Sequence, residues 1–120
     1  MTDINLKRQI FLKIPLPNRL GKLAENLSQI QKLCAEESPQ TLIFNPIKES
    51  RYFIEWIVPD LIHVDIDLAA ELVDLGRVLT QWLFNWEKFC SNSQEKTHIA
   101  QQVEQWLNRV WEISQLPLGK

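Results

Sequence analysis

His63, Asp65, Asp67 and Glu71 have the side-chain types of a metal-ligand set and lie close together in the sequence. Imidazole and carboxylate groups hold a transition metal when three or four of them converge. Asp67 and Glu71 stand four residues apart, which puts both on one face of a helix. A simpler role suits the same acids. At a helix start they oppose the positive end of the dipole, and Asp65 or Asp67 can accept from its unpaired N–H groups. We read the cluster as a charged helix start and assign no metal.

Nucleophilic and phosphate chemistry find little footing. His98 sits among polar residues, and His63 follows the apolar pair Leu61-Ile62. Cys34 and Cys90 have no histidine near them in sequence to act as a base. Neither a Gly-x-Ser-x-Gly elbow nor a phosphate-cradling glycine loop occurs, and the glycines are Gly21, Gly76 and Gly119. The chain therefore reads as non-catalytic and without a cofactor, with a small enzyme of unrecognised type as a lesser alternative. The two cysteines lie in apolar stretches and suggest buried thiols, not a disulfide framework. That points to a reducing cytoplasm.

The aromatic residues bear on recognition. Ile10-Phe11-Leu12-Lys13 and Arg51-Tyr52-Phe53-Ile54 alternate as strands do, which would set Phe11 and Phe53 on one face beside Lys13 and Arg51. The strand-helix-strand-strand order resembles the first part of the RNA-recognition fold, whose strand aromatics stack on bases. That resemblance implies a single-stranded RNA-binding face at Phe11, Lys13, Arg51 and Phe53. The family's Gly-aromatic-Gly pattern is absent from the third strand, and two long helices stand where a fourth strand belongs. Nucleic acid is therefore the alternative partner, and the leading function is a protein-interaction or assembly module that binds a protein partner or its own copy.

The elements that would position these residues are read from periodicity. Leu68, Leu75, Trp82 and Phe89 repeat every seven residues, and Leu72, Leu79 and Trp86 form a second row between them. These alternating steps of four and three predict an amphipathic helix over Asp65 to Phe89. After a polar turn at Cys90 to Gln94, Ile99, Val103, Trp106, Val110 and Ile113 predict a second helix. The short turn makes the two an antiparallel hairpin, with Trp86 facing Ile99, Trp82 facing Val103 and Leu79 facing Trp106. Leu20, Leu23, Leu27, Ile30 and Cys34 predict an earlier helix opened by Pro17 and stopped by Glu36 to Pro39.

Elsewhere the pattern has period two. Ile10, Leu12, Ile14 and Leu16 alternate with less apolar neighbours and predict a strand ended by Pro15. Thr41 to Phe44 and Arg51 to Val58 predict two more strands joined by the turn residues Asn45 to Ser50. Tyr52, Ile54, Trp56 and Val58 would share one face of the sheet. The expected fold is α+β: a small antiparallel sheet in the order β-α-β-β-α-α, packed with helices and ending in the helical hairpin. An all-α bundle is the alternative, should the short strands not form. One domain over residues 1–120 accommodates both parts, about 8–58 and about 65–116.

Charge and tryptophan content refine this. The formal net charge is −2, too small to draw a polyanion by itself. Lys7, Arg8, Lys13, Arg19, Lys22 and Lys32 make the first third basic, while Asp60, Asp65, Asp67, Glu71 and Asp74 make the middle acidic. The plain reading is two solvated faces. No apolar run approaches the roughly 20 residues that cross a bilayer, so no membrane partner is expected. Of the five tryptophans, Trp56, Trp82, Trp86 and Trp106 lie on expected core stripes. Trp111 falls off its helix's main seam, with Leu107 one turn before it. Leu107 and Trp111 are therefore the candidate partner-facing residues.

Overall fold

The computed structural model describes residues 3–35, 40–90 and 93–118. The side chains of Gln40 and Cys90 lie outside that description. Helix α1 spans Asp3–Leu12, α2 Leu16–Ala35, α3 Phe44–Val64, α4 Ile66–Cys90 and α5 Ser93–Ser114, with a 3-10 turn at Gln40–Ile43 before α3. Among the described residues there is no strand, so the expected α+β fold is corrected to an all-helical bundle. The expected stop at Glu36 to Pro39 and the turn at Ser91 and Asn92 lie outside the described residues.

The misread segments show which force won. Residues 51–58 are so densely apolar that both period two and period 3.6 fit them. The helical stripe of α3 is Ile47, Ser50, Ile54, Ile57 and Leu61, in steps of three and four, and all five are buried. Ser50 hides that stripe, because it places a hydroxyl where an apolar residue would complete the pattern. Tyr52, expected beside Ile54, is exposed, and Ile57 is fully buried. The expected turn Asn45 to Ser50 forms the first turns of α3, where Pro46 gives up no needed donor. Thr41 to Ile43 belong to the 3-10 turn.

The expected first strand is α1 and the bend after it. Among the residues of α1 only Phe11 is buried, and Ile10 lies open to solvent. Phe11 stacks on Phe53 with ring centroids 4.3 Å apart and planes 8° from parallel, and tilts against Trp56 at 5.6 Å. Lys7 Nζ reaches Glu49 Oε2 at 2.6 Å. These three contacts hold α1 to α3.

Helices α2 to α5 form a ring in chain order. Helix α2 lies against α3 and α5, and α4 against α3 and α5. Neighbours run antiparallel. Asn26 bonds Glu49 while Arg19 bonds Asp60 across α2 and α3, and Gly21 meets Trp111 while Gln31 bonds Glu104 across α2 and α5. Helix α5 lies chiefly along α2 and has a smaller contact with α4, so the expected α4–α5 hairpin is not its main packing. Leu20, Leu23, Leu27 and Ile30 of α2 and Leu72, Leu75, Leu79 and Trp82 of α4 belong to a single core that includes Ile99, Val103, Val110 and Ile113. The molecule measures 45 × 33 × 19 Å, a slab about two helices thick.

Polar contacts fix the ends. Asp65 stops α3 and caps α4, its Oδ1 accepting from the N–H groups of Asp67 at 3.0 Å and Leu68 at 3.2 Å. Arg19 is buried where the basic first third suggested a solvated side chain. Its Nε donates to the Ile14 carbonyl at 2.7 Å and its Nη1 to Asp60 Oδ2 at 2.6 Å. It thereby ties the bend before α2 to the far end of α3.

Candidate interaction face

Among the described residues, the side chains of ligating type do not converge. Asp65 is occupied in capping α4, His63 and His98 are exposed, and Glu71 accepts two hydrogen bonds from Arg109, at 2.7 and 2.8 Å. Among the described residues no three His, Cys, Asp or Glu side chains gather as a metal site would require. Cys34 is buried on α2.

The Glu71–Arg109 pair is a structural lock between α4 and α5. Hydrogen bonds from Arg109 hold the Glu71 carboxyl below the ordinary carboxylate range, against the opposing effect of partial burial. The same bonds, with one to Glu112, hold Arg109 firmly protonated. Glu49 forms a second lock. Burial raises its pKa, but hydrogen bonds from Lys7 and Asn26 and the charges of Lys7 and Lys22 outweigh that and lower it overall.

The proposed RNA face is not assembled. Phe11 is buried and stacks face to face on Phe53 inside the α1–α3 contact, so the two rings cover each other and do not lie side by side on an open surface. Lys13 sits in the exposed bend after α1, and Arg51 lies on a different side of α3. With no sheet, the surface that carried this reading is gone.

Leu107 and Trp111 stay together, one turn apart on α5. Leu107 is half-buried against the core. The Trp111 ring lies across Gly21 of α2, where an added Cβ would come within 3.9 Å of Cζ3, and the ring is 43% exposed. Trp111 therefore covers a glycine on one side and faces solvent on the other.

A larger open surface lies between α3 and α4, and of its residues only Arg51 was a candidate site residue from the sequence, for a different face. A groove of ≈ 530 Å³ runs there, with Ile54 and Gly76 at its floor and Val58, Pro59, Val73 and Thr80 on its walls. A Cβ on Gly76 would stand 3.7 Å from Ile54 Cγ2, so the two helices approach closely at that level. Pro59 has no N–H to give the Glu55 carbonyl one turn earlier, which loosens α3 beside the groove. Arg51, Glu55 and Arg77 stand at its rim.

Apolar side chains continue this surface past the groove. Ile66 is 67% exposed and Phe84 77% exposed, with Val73 and Ile62 also open. On α4, Ile66, Ala70, Val73, Arg77, Thr80 and Phe84 step by four and three, a second heptad track beside the buried one. Arg51, Glu55, Val58 and Ile62 repeat the spacing on α3. The α4 track was legible in the sequence, but the stronger leucine–tryptophan seam masks it. Asn85 leaves helical geometry at φ −117°, ψ 16°, just after Phe84, and its side-chain amide donates to the Gln81 carbonyl at 3.0 Å.

Comparison with protein-family models, with curated proteins and with solved structures finds no match to this chain. No described helix is long and apolar enough to cross a membrane. The functional reading therefore rests on the molecule's own surfaces.

Proposed function

We propose that this chain is a non-catalytic protein-interaction module that works through the outer face of α3 and α4. One observation carries the reading. The groove over Ile54 and Gly76 is walled in part by exposed Val73 and shares its helix faces with exposed Ile62, Ile66 and Phe84, and exposed apolar surface of this kind marks sites of association. The charged rim at Arg51, Glu55 and Arg77 suits a protein surface, where polar residues surround an apolar centre. Trp111, with Leu107 one turn before it on α5, offers a smaller second contact on the opposite side of the bundle. We assign the protein to the cytoplasm, because its two cysteines form no pattern of a disulfide framework.

The test is photo-crosslinking in the source cell from a photoreactive amino acid placed at Val73. A discrete adduct is expected there and not from the same group at Gln101, an exposed position on α5. The reading fails if Val73 and Gln101 give the same background.

A further inference from the structure

We propose that the α3–α4 face is closed by the same face of a second copy of this chain, about a twofold axis running along the two helices. This rests on reading the face as an interaction surface, and it names the occupant.

The register of α3 and α4 supports it. Ile54 lies beside Gly76, and Lys48 and Leu83 line one recess further along. The helices are therefore antiparallel, and residues can be assigned to levels by counting from these contacts. Glu55 shares a level with Arg77, Val58 with Val73, and Ile62 with Ala70. Ile66 follows at the α3–α4 corner. The face thus carries apolar levels at the corner end and a charged level at Glu55 and Arg77, with exposed Phe84 beyond them toward the open end.

A homodimer brings the same patch together from both subunits, so the patch must complement itself. A twofold axis along the helices keeps every level opposite its own counterpart and exchanges the helices. Helix α3 then meets the second copy's α4. Apolar levels oppose apolar levels, with Val58 on Val73. At the charged level, Glu55 of each copy meets Arg77 of the other, so two opposite-charge pairs form by symmetry. An axis across the helices would instead lay each helix on its own counterpart in reverse, so that Glu55 and Arg77 meet either like charges or apolar levels of the second copy, leaving them desolvated without opposite-charge partners. The pattern therefore selects one of the two face-to-face arrangements.

Space and area agree. Gly76 puts no side chain between the helices at the level of the charge pairs. Among the described residues Arg77 has a long surface contact with Asp74 at 3.7 Å. Two helices of roughly 30 Å at a spacing of about 10 Å present roughly 600 Å² per copy. Two copies then bury roughly 1,200 Å², within the range of specific interfaces. The joined faces make a four-helix layer with a one-helix-pair thickness from each subunit, the packing that helical bundles use internally.

Sedimentation velocity on the full chain across roughly 1–100 μM tests this through a charge exchange. The wild type should sediment at twice the chain mass. Glu55→Arg should weaken the dimer at least tenfold by setting like charges against each other, and Arg77→Glu should do the same. The double variant Glu55→Arg/Arg77→Glu should recover affinity to within about threefold of wild type, because the pairs reform with signs reversed. Both side chains are exposed, and circular dichroism should confirm that all variants fold alike. A monomer at every concentration would overturn the proposal, as would a dimer indifferent to the single reversals or a double variant no better than the singles. Crosslinking from Val73 separates the two readings. A monomeric chain that still crosslinks to another protein removes the second copy as occupant but keeps the interaction face, whereas the absence of any adduct removes both.

Discussion

Replacing Ile57 by alanine measures whether residues 51–58 are packed as a helix. Ile57 is fully buried on α3, on the stripe with Ile54 and Leu61. Ile→Ala removes three carbons, worth roughly 2.4 kcal/mol of burial at about 0.8 kcal/mol each. The cavity left behind adds to this, and substitutions of this kind cost about 2–5 kcal/mol in total. With a urea dependence of roughly 2 kcal/mol per molar for a domain of this size, the unfolding midpoint should fall by roughly 1–2.5 M. Ile10→Ala supplies the comparison. A strand would bury Ile10, but on α1 it is exposed, and its loss should move stability by less than about 0.5 kcal/mol. Urea titrations of both variants, followed by far-ultraviolet circular dichroism, decide the matter. The helical packing of this segment is refuted if Ile57→Ala costs no more than Ile10→Ala.

Three further outcomes follow from particular contacts. Arg19→Ala should cost about 1–3 kcal/mol, since it removes charge-assisted bonds to the Ile14 carbonyl and Asp60 from a buried position; Arg19→Lys should rescue it poorly in the same urea titration, because an ammonium cannot reproduce the fork. Glu71 has its pKa depressed by Arg109 in the folded chain, so its contribution is complete above the ordinary carboxylate value of about 4.3 and is lost as pH falls through the lower folded value. Glu71→Gln should accordingly flatten the loss of thermal stability on acidification below about pH 4.3, and an unchanged profile would exclude the Glu71–Arg109 lock as its source. Trp111→Ala should leave the melting temperature within a few degrees of wild type, since the ring covers Gly21 on one side only; a larger fall would make Trp111 a core residue.

How far the sequence speaks for itself can be seen element by element. The seam of Leu68, Leu72, Leu75, Leu79, Trp82 and Trp86 specifies α4, because spaced leucines among polar residues admit one period only. The same holds for Leu20 to Cys34 in α2 and Ile99 to Ile113 in α5. Asp65 was legible as a cap, since a short carboxylate before an apolar run has a local partner in the next turn. What remained for tertiary structure was any segment whose local pattern fits two periods. Residues 51–58 are apolar at almost every position, and they became helical because Ile54 and Ile57 could then pack on α2 and α4. Phe11, part of an alternating run, was settled by a stacking partner 42 positions away, Phe53. The partner choice of α5 was also non-local: its stripe requires an apolar surface but does not specify whether α2 or α4 supplies it. Likewise, the outer track of α4 can be counted from the sequence, but only the approach of α3 at Gly76 turns it into a groove. Periodicity is a property of neighbouring residues, whereas burial depends on which surfaces the rest of the chain leaves open.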